Sequence, residues 1–224
     1  MEIVYGIHQV DGINGNCYVV ARDGLVLIDT GLPGNCRKIL AYVRDKLRQD
    51  PANIRTIILT HSHPDHTGNA SELKGITGAK IAIHEADAEY VSGKRSHPLP
   101  KGARGLLIRF MGVFLRSPTF QPDILLKDGE TIAGFTCIHT PGHTPGSICL
   151  LDPGSGTLFS GDLLRYNGER IEGPPPQFTP DMGEAMRSVK KISSQEFENL
   201  LSGHGVPLKG GASGKVKEFA RQIR

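Results

Sequence analysis

The sequence predicts an α/β fold, and three observations carry that prediction. Short, β-branched apolar stretches recur along the chain, and Gly- or Pro-containing turns separate them. Between them stand segments whose apolar residues fall at helical spacing. The 224 residues suffice for one domain with a sizeable core, and 38% hydrophobic with 22% charged residues are ordinary globular values.

Taken in order, residues 3–10, 17–21 and 25–28 read as strands, with Asp23-Gly24 as the turn signal between the last two. Pro33 opens a helix to 48, with Ile39, Leu40, Val43 and Leu47 on one face. Residues 54–60 form a buried strand, 80–83 another, and 85–91 a short helix. Strands resume at 124–126, 131–133, 135–139, 147–151 and 157–160. Thr179 as cap and Pro180 in the first turn open a helix to about 192, with Met182, Ala185, Met186 and Val189 on one face. Residues 198–201 are the last strand, and Val216, Phe219, Ala220 and Ile223 mark a closing helix. Residues 1–224 are expected to form a single domain with one insertion, at about 93–122.

That insertion carries Lys94, Arg95, Lys101, Arg104, Arg109 and Arg116 and no acidic residue. Its centre, 106–115, is more apolar than a solvent-facing helix and too short to cross a bilayer. It reads as a lid walling an apolar substrate pocket, as a homodimer interface, or as a helix packed beside the site. Contact with a membrane surface is a further reading.

No apolar run reaches 18 residues, so no membrane span is expected. Residues 1–6 carry no basic and apolar leader pattern. Cys17, Cys36, Cys137 and Cys149 form no CxxC pair and read as buried thiols. Together these point to a cytoplasmic protein. The net charge of +3 is mild, and no basic stripe with interleaved aromatics appears, so no nucleic-acid partner is expected.

The chemistry concentrates in His61-Ser62-His63-Pro64-Asp65-His66. Imidazole and carboxylate are the donors of zinc, non-haem iron and manganese. The run implies either two metals or one metal plus a catalytic carboxylate. It follows the strand 54–60, on the loop at the carboxyl end where open α/β sheets place ligands. Pro64 stiffens the turn, and Asp65 and His66 start a short helix.

The pattern His-x-His-x-Asp-His resembles the signature of the metallo-β-lactamase-fold hydrolases. Four further motifs stand in family order: Leu27-Ile28-Asp29-Thr30-Gly31, Thr140-Pro141-Gly142-His143-Thr144-Pro145-Gly146-Ser147, Phe159-Ser160-Gly161-Asp162, and Ser202-Gly203-His204-Gly205. The resemblance covers about residues 16–205. It implies a four-layer αββα sandwich of two mixed β-sheets flanked by helices. It also implies that His61, His63 and His143 bind one metal, Asp65, His66 and His204 a second, and Asp162 both. Asp29, outside the ligand set, either holds the metal loop by hydrogen bonds or merely caps a turn.

The activity implied is hydrolysis: water held between two divalent ions, zinc by preference with iron or manganese as alternatives, attacks a carbonyl carbon. Asp65 and Asp162 are the expected catalytic carboxylates. Tyr166 is either an oxyanion donor or a rim tyrosine. An aspartate at 162 resembles the glyoxalase II and lactonase branch, where one antibiotic-hydrolysing branch carries cysteine. The expected substrate is a small ester, thioester or lactone with an apolar acyl part. Phosphodiesterase or β-lactamase activity on the same centre is an alternative, and so is a mononuclear-iron oxidoreductase resembling persulfide dioxygenases. His8, His84, His97 and His139 are expected to be structural.

Overall fold

The computed structural model describes residues 1–97 and 117–223. The apolar run 106–115 lies outside the described residues, together with Lys101, Arg104, Arg109 and Arg116. The chain forms two compact units. One comprises Met1–Ile83 and Ala88–Leu125, the other His84–Asp87 and Leu126–Arg224.

The first sheet has seven strands in sequence order: β1 Glu2–Val4, β2 Ile7–Gln9, β3 Tyr18–Arg22, β4 Gly24–Ile28, β5 Ile54–Ile58, β6 Lys80–His84 and β7 Ile124–Leu126. It is mixed: β1 to β4 pair antiparallel, and β4, β5 and β6 pair parallel. The single strand expected over 3–10 is instead a hairpin. Gly6 takes φ 72°, which folds β1 onto β2, and Tyr5 at the tip is 96% exposed. The expected helix 33–48 runs as an α-helix over Cys36–Ala41 and then as a π-helix over Tyr42–Lys46, where Leu47 N–H reaches back to Tyr42 O. Its apolar face behaves as the spacing requires, since Ile39 and Val43 are wholly buried and Leu40 and Leu47 pack against the same core.

The second sheet is also mixed, in the order β14-β11-β10-β9-β8. Its members are β8 Thr131–Ile132, β9 Phe135–His139, β10 Ile148–Asp152, β11 Thr157–Gly161 and β14 Asn199–Ser202. The last pair, β11 with β14, is parallel. A two-stranded ribbon of β12 Arg165–Tyr166 and β13 Ile171–Glu172 was not expected from the sequence. Helices Met182–Ile192 and Ala212–Arg221 bury Val189, Ile192, Val216 and Ala220 in this unit's core. Phe135 of β9 and Phe159 of β11, both fully buried, meet edge to face, 5.8 Å apart, and truncating either costs about 3–5 kcal/mol.

The cap of helix Met182–Ile192 is Asp181, whose side chain accepts from Glu184 N–H, and not Thr179. Asp181 stands nearer the first turn and carries the charge that suits a helix N-terminus. Thr179 is thereby left for the site.

Candidate metal centre

Both units bring their donors together by the same device, two adjacent parallel strands that end side by side. In the first unit Ile28 of β4 pairs with Ile58 of β5, and Asp29 N–H continues the ladder to Ile58 O at 3.0 Å. Asp29 therefore leaves one strand beside the loop that leaves the other. Its φ of 57° is a left-handed conformation that aspartate tolerates better than most residues. The reward is three hydrogen bonds to a carboxylate that is 2% exposed. Oδ1 accepts from Thr60 N–H at 2.8 Å, and Oδ2 accepts from Thr60 Oγ1 and from His66 Nδ1, each at 2.7 Å.

These bonds fix the imidazole tautomers. His66 donates from Nδ1 to Asp29, which makes Nε2 the lone-pair nitrogen. Thr60 gives its hydroxyl proton to Asp29, so at 3.1 Å it accepts from His61 Nδ1, and His61 too presents Nε2. Asp29 thus orients two imidazoles, one directly and one through Thr60, the kind of partner that metal-binding histidines use.

The loop itself is tied down by backbone. His63 is the cap of the one-turn helix Pro64–Thr67, which begins at the proline, one residue before the expected start at Asp65. Thr30 N–H and Oγ1 both donate to His66 O, at 2.8 and 2.9 Å. Asn69, missed by sequence reasoning, donates to Thr30 O and Leu32 O and accepts from Asn35 N–H and Cys36 N–H. A Cβ at Gly68 would lie 2.3 Å from Pro33 N, so only glycine lets these segments meet.

In the second unit Gly161 of β11 pairs with Ser202 of β14, and Gly203 N–H donates to Gly161 O at 2.7 Å. Asp162 and His204 emerge from these neighbouring strand ends. His143 arrives on the loop after β9. That loop is fastened to helix Met182–Ile192 by Ser188 Oγ donating to Pro141 O and by Gly142, whose Cβ would lie 2.2 Å from Ala185 N. Thr179 Oγ1 donates to Pro175 O at 2.8 Å and therefore accepts from His143 Nδ1 at 3.1 Å, again making Nε2 the lone-pair nitrogen. Asp87, fully buried, accepts from Thr144 Oγ1 and Gly146 N–H and holds the other end of the loop. Neither Thr179 nor Asp87 carried a sequence signal for this work.

Asp162 Oδ2 lies 3.4 Å from His143 Nε2 and 3.6 Å from His204 Nε2. In the first unit His66 Nε2 stands 3.9 Å from Asp65 Oδ2. Two donors on one tetrahedral ion, at bonds of about 2.0–2.1 Å, lie about 3.4 Å apart. The separations and the donor chemistry both fit divalent metal. All four cysteines are buried. Burial pushes Cys36 up to about 11 and Cys137 and Cys149 to about 12. Burial and then the Asp29 charge also raise Cys17. Burial thus favours the protonated thiols at neutral pH.

Tyr166 gives its hydroxyl proton to Gly168 O at 2.6 Å, and its ring lies under Lys215 Nζ. His8 packs edge-on to Tyr42, and His84 stacks on His139 at 3.9 Å. His139 Nε2 meets Pro145 O at 2.9 Å. His97, expected to be structural, contacts the ligand run: its Nε2 lies 3.0 Å from Ser62 Oγ and its ring 4.8 Å from that of His63.

The family model of the metallo-beta-lactamase superfamily matches residues 10–204. "Probable metallo-hydrolase YflN" of Bacillus subtilis (strain 168) is 30% identical, over 93% of this chain and 87% of its own length. "Acyl-coenzyme A thioesterase MBLAC2" of Bos taurus is 31% identical, over 80% of this chain and 68% of its own. Among solved structures, TTHA1623 in a di-iron-bound form matches with a TM-score of 0.73 and 26% identity, over 95% of this chain and 98% of that one. The fold, two mixed sheets flanked by helices, is the metallo-β-lactamase fold. The chain belongs to the metallo-beta-lactamase superfamily and is a hydrolase of that family. Among the described residues, no helix is long and apolar enough to cross a membrane.

Proposed function

We propose that the chain is a dinuclear metal-dependent hydrolase, working as one domain, whose first substrate class is small thioesters. The observation that carries this reading is the Asp162 carboxylate, with one oxygen 3.4 Å from His143 Nε2 and 3.6 Å from His204 Nε2. A carboxylate between two imidazoles suits a ligand shared by two ions. In this reading His61, His63 and His143 hold one ion, Asp65, His66 and His204 the other, and Asp162 contacts both. Zinc suits the donors, as do iron and manganese. Bound there, the ions would supply water acidified toward neutral pH and an acceptor for charge developing on the carbonyl oxygen.

The rest falls to the chain's own side chains. Asp29, Thr60 and Thr179 keep Nδ1 of His66, His61 and His143 protonated, so that Nε2 faces the site. Asp65, with its side chain 32% exposed, has access to take a proton on Oδ2 and return it to the leaving atom. A thiol leaving group, with a pKa of about 8.5, needs less of that help than an alcohol. Two further facts support thioesters with an apolar acyl part: the relative named as an acyl-coenzyme A thioesterase, and the apolar run 106–115. Tyr166 has no place in this scheme, because its proton is committed to Gly168 O.

The test is metal content by mass spectrometry on protein purified without added metal, followed by acyl thioesters of increasing chain length alongside a lactone, a phosphodiester and a β-lactam. Two ions per chain and a KM that falls with acyl length are expected. One iron per chain with oxygen uptake on a persulfide overturns the hydrolytic reading, and a preference for another substrate overturns the thioester assignment.

A further inference from the structure

The rings of His61, His66 and His143 are each oriented through Nδ1, by Thr60, Asp29 and Thr179. His63 has an aromatic neighbour. The His97 ring stands against it at 4.8 Å and 61°, and His97 Nε2 meets the hydroxyl of Ser62, the residue between His61 and His63, at 3.0 Å. His97 is itself held in plane by Tyr90, stacked at 4.3 Å and 16°, and the Arg95 guanidinium lies 5.2 Å from the Tyr90 ring centre. Arg95 N–H donates to Glu89 O, which closes this short turn onto the helix Ala88–Val91. A column of three side chains, Arg95, Tyr90 and His97, thus ends on the His63 ring and on the Ser62 hydroxyl.

Such a column restricts the rotation of the His63 ring. An imidazole free to rotate loses rotamer entropy on coordination, and a ring already walled on one face loses less. The bond to Ser62 limits the backbone between the two donors, so His61 and His63 keep their relative aim. We propose that His97, fixed by Tyr90, is a positioning residue that presets His63 and thereby raises the metal affinity of the ion bound by His61 and His63. It touches neither substrate nor metal in this role. The inference rests on the metal reading of the histidine run.

The experiment measures zinc affinity by competition with a chromophoric chelator for the full chain and its variants, with metal-free melting temperatures beside it. His97→Ala is expected to weaken one of the two zinc affinities about 10-fold or more, the usual effect of removing a residue that orients a ligand, with little change in the metal-free melting temperature. Ser62→Ala, which removes the bond and spares the stack, is expected to produce part of the loss. Tyr90→Leu, which removes the stack, is expected to produce the rest. Affinity within twofold of wild type in both His97→Ala and Ser62→Ala overturns the proposal. So does a metal-free destabilisation that accounts for the whole change. His61→Ala separates the two failures: if it too binds two zinc ions like wild type, the metal reading itself is wrong.

Discussion

Asp29 Oδ2 lies 2.7 Å from His66 Nδ1, and both side chains are buried. The same oxygen takes the Thr60 hydroxyl proton, so one carboxylate sets the tautomer of two imidazoles 37 and 32 positions further along the chain.

Asp29→Asn is expected to break that control at nearly constant volume. The amide cannot accept everything the carboxylate accepts, and an N–H turned toward His66 Nδ1 favours the wrong tautomer. Metal affinity should fall about 10–100-fold. Chelator competition checks it, with hydrolytic rate at saturating zinc as the second readout.

Thr179 and Asp181 divide two tasks only two residues apart. Thr179→Val should lower metal affinity through His143 and leave the helix Met182–Ile192 intact. Asp181→Ala should cost about 0.5–2 kcal/mol of stability by removing the cap, with metal affinity near wild type. Urea unfolding and zinc titration of both variants test the division; identical profiles would refute it.

Tyr166→Phe is expected to keep kcat within about threefold of wild type, since the removed hydroxyl bonds to Gly168 O. A donor aimed at a developing oxyanion would instead cost about 10²–10³ in kcat. Steady-state kinetics on the best thioester decides between them.

His84 gives a pH dependence. Burial lowers its pKa below 6.5, and the stacked His139 lowers it further, against opposing pulls from Asp87, Glu85 and Asp128. The fold therefore favours the neutral ring, while the unfolded chain takes up a proton from about pH 6.5 downward. The His84 contribution is fully present above pH 6.5 and declines as pH falls through the window beneath it. Urea unfolding of metal-free protein between pH 7.5 and 5.5 should show a smaller acid loss in His84→Gln than in wild type. Equal slopes would contradict this.

Much of this was legible from local pattern. β5 could be read from a β-branched run, and the short helix Pro64–Thr67, to within one residue, from Asp65 and His66 after the proline. The hairpin at Gly6 was not, because alternation over 3–10 suits one strand and only a left-handed φ at the glycine breaks it. Thr179 was misplaced as a cap because a Thr-Pro pair looks like a helix start. Asp181 takes that position, and the threonine hydroxyl turns to His143.

The order of the candidate donors along the chain and their place after strand ends could be read from the primary structure alone. Those features are written in short motifs and in the two-residue period of the strands around them. What holds those side chains became visible only in the folded chain. Thr179 is 36 positions from His143, Asp87 is 57 from Thr144, and His97 is 35 from Ser62. No periodicity encodes such partners, because these contacts exist only once parallel strand ends lie side by side and the loops between them close.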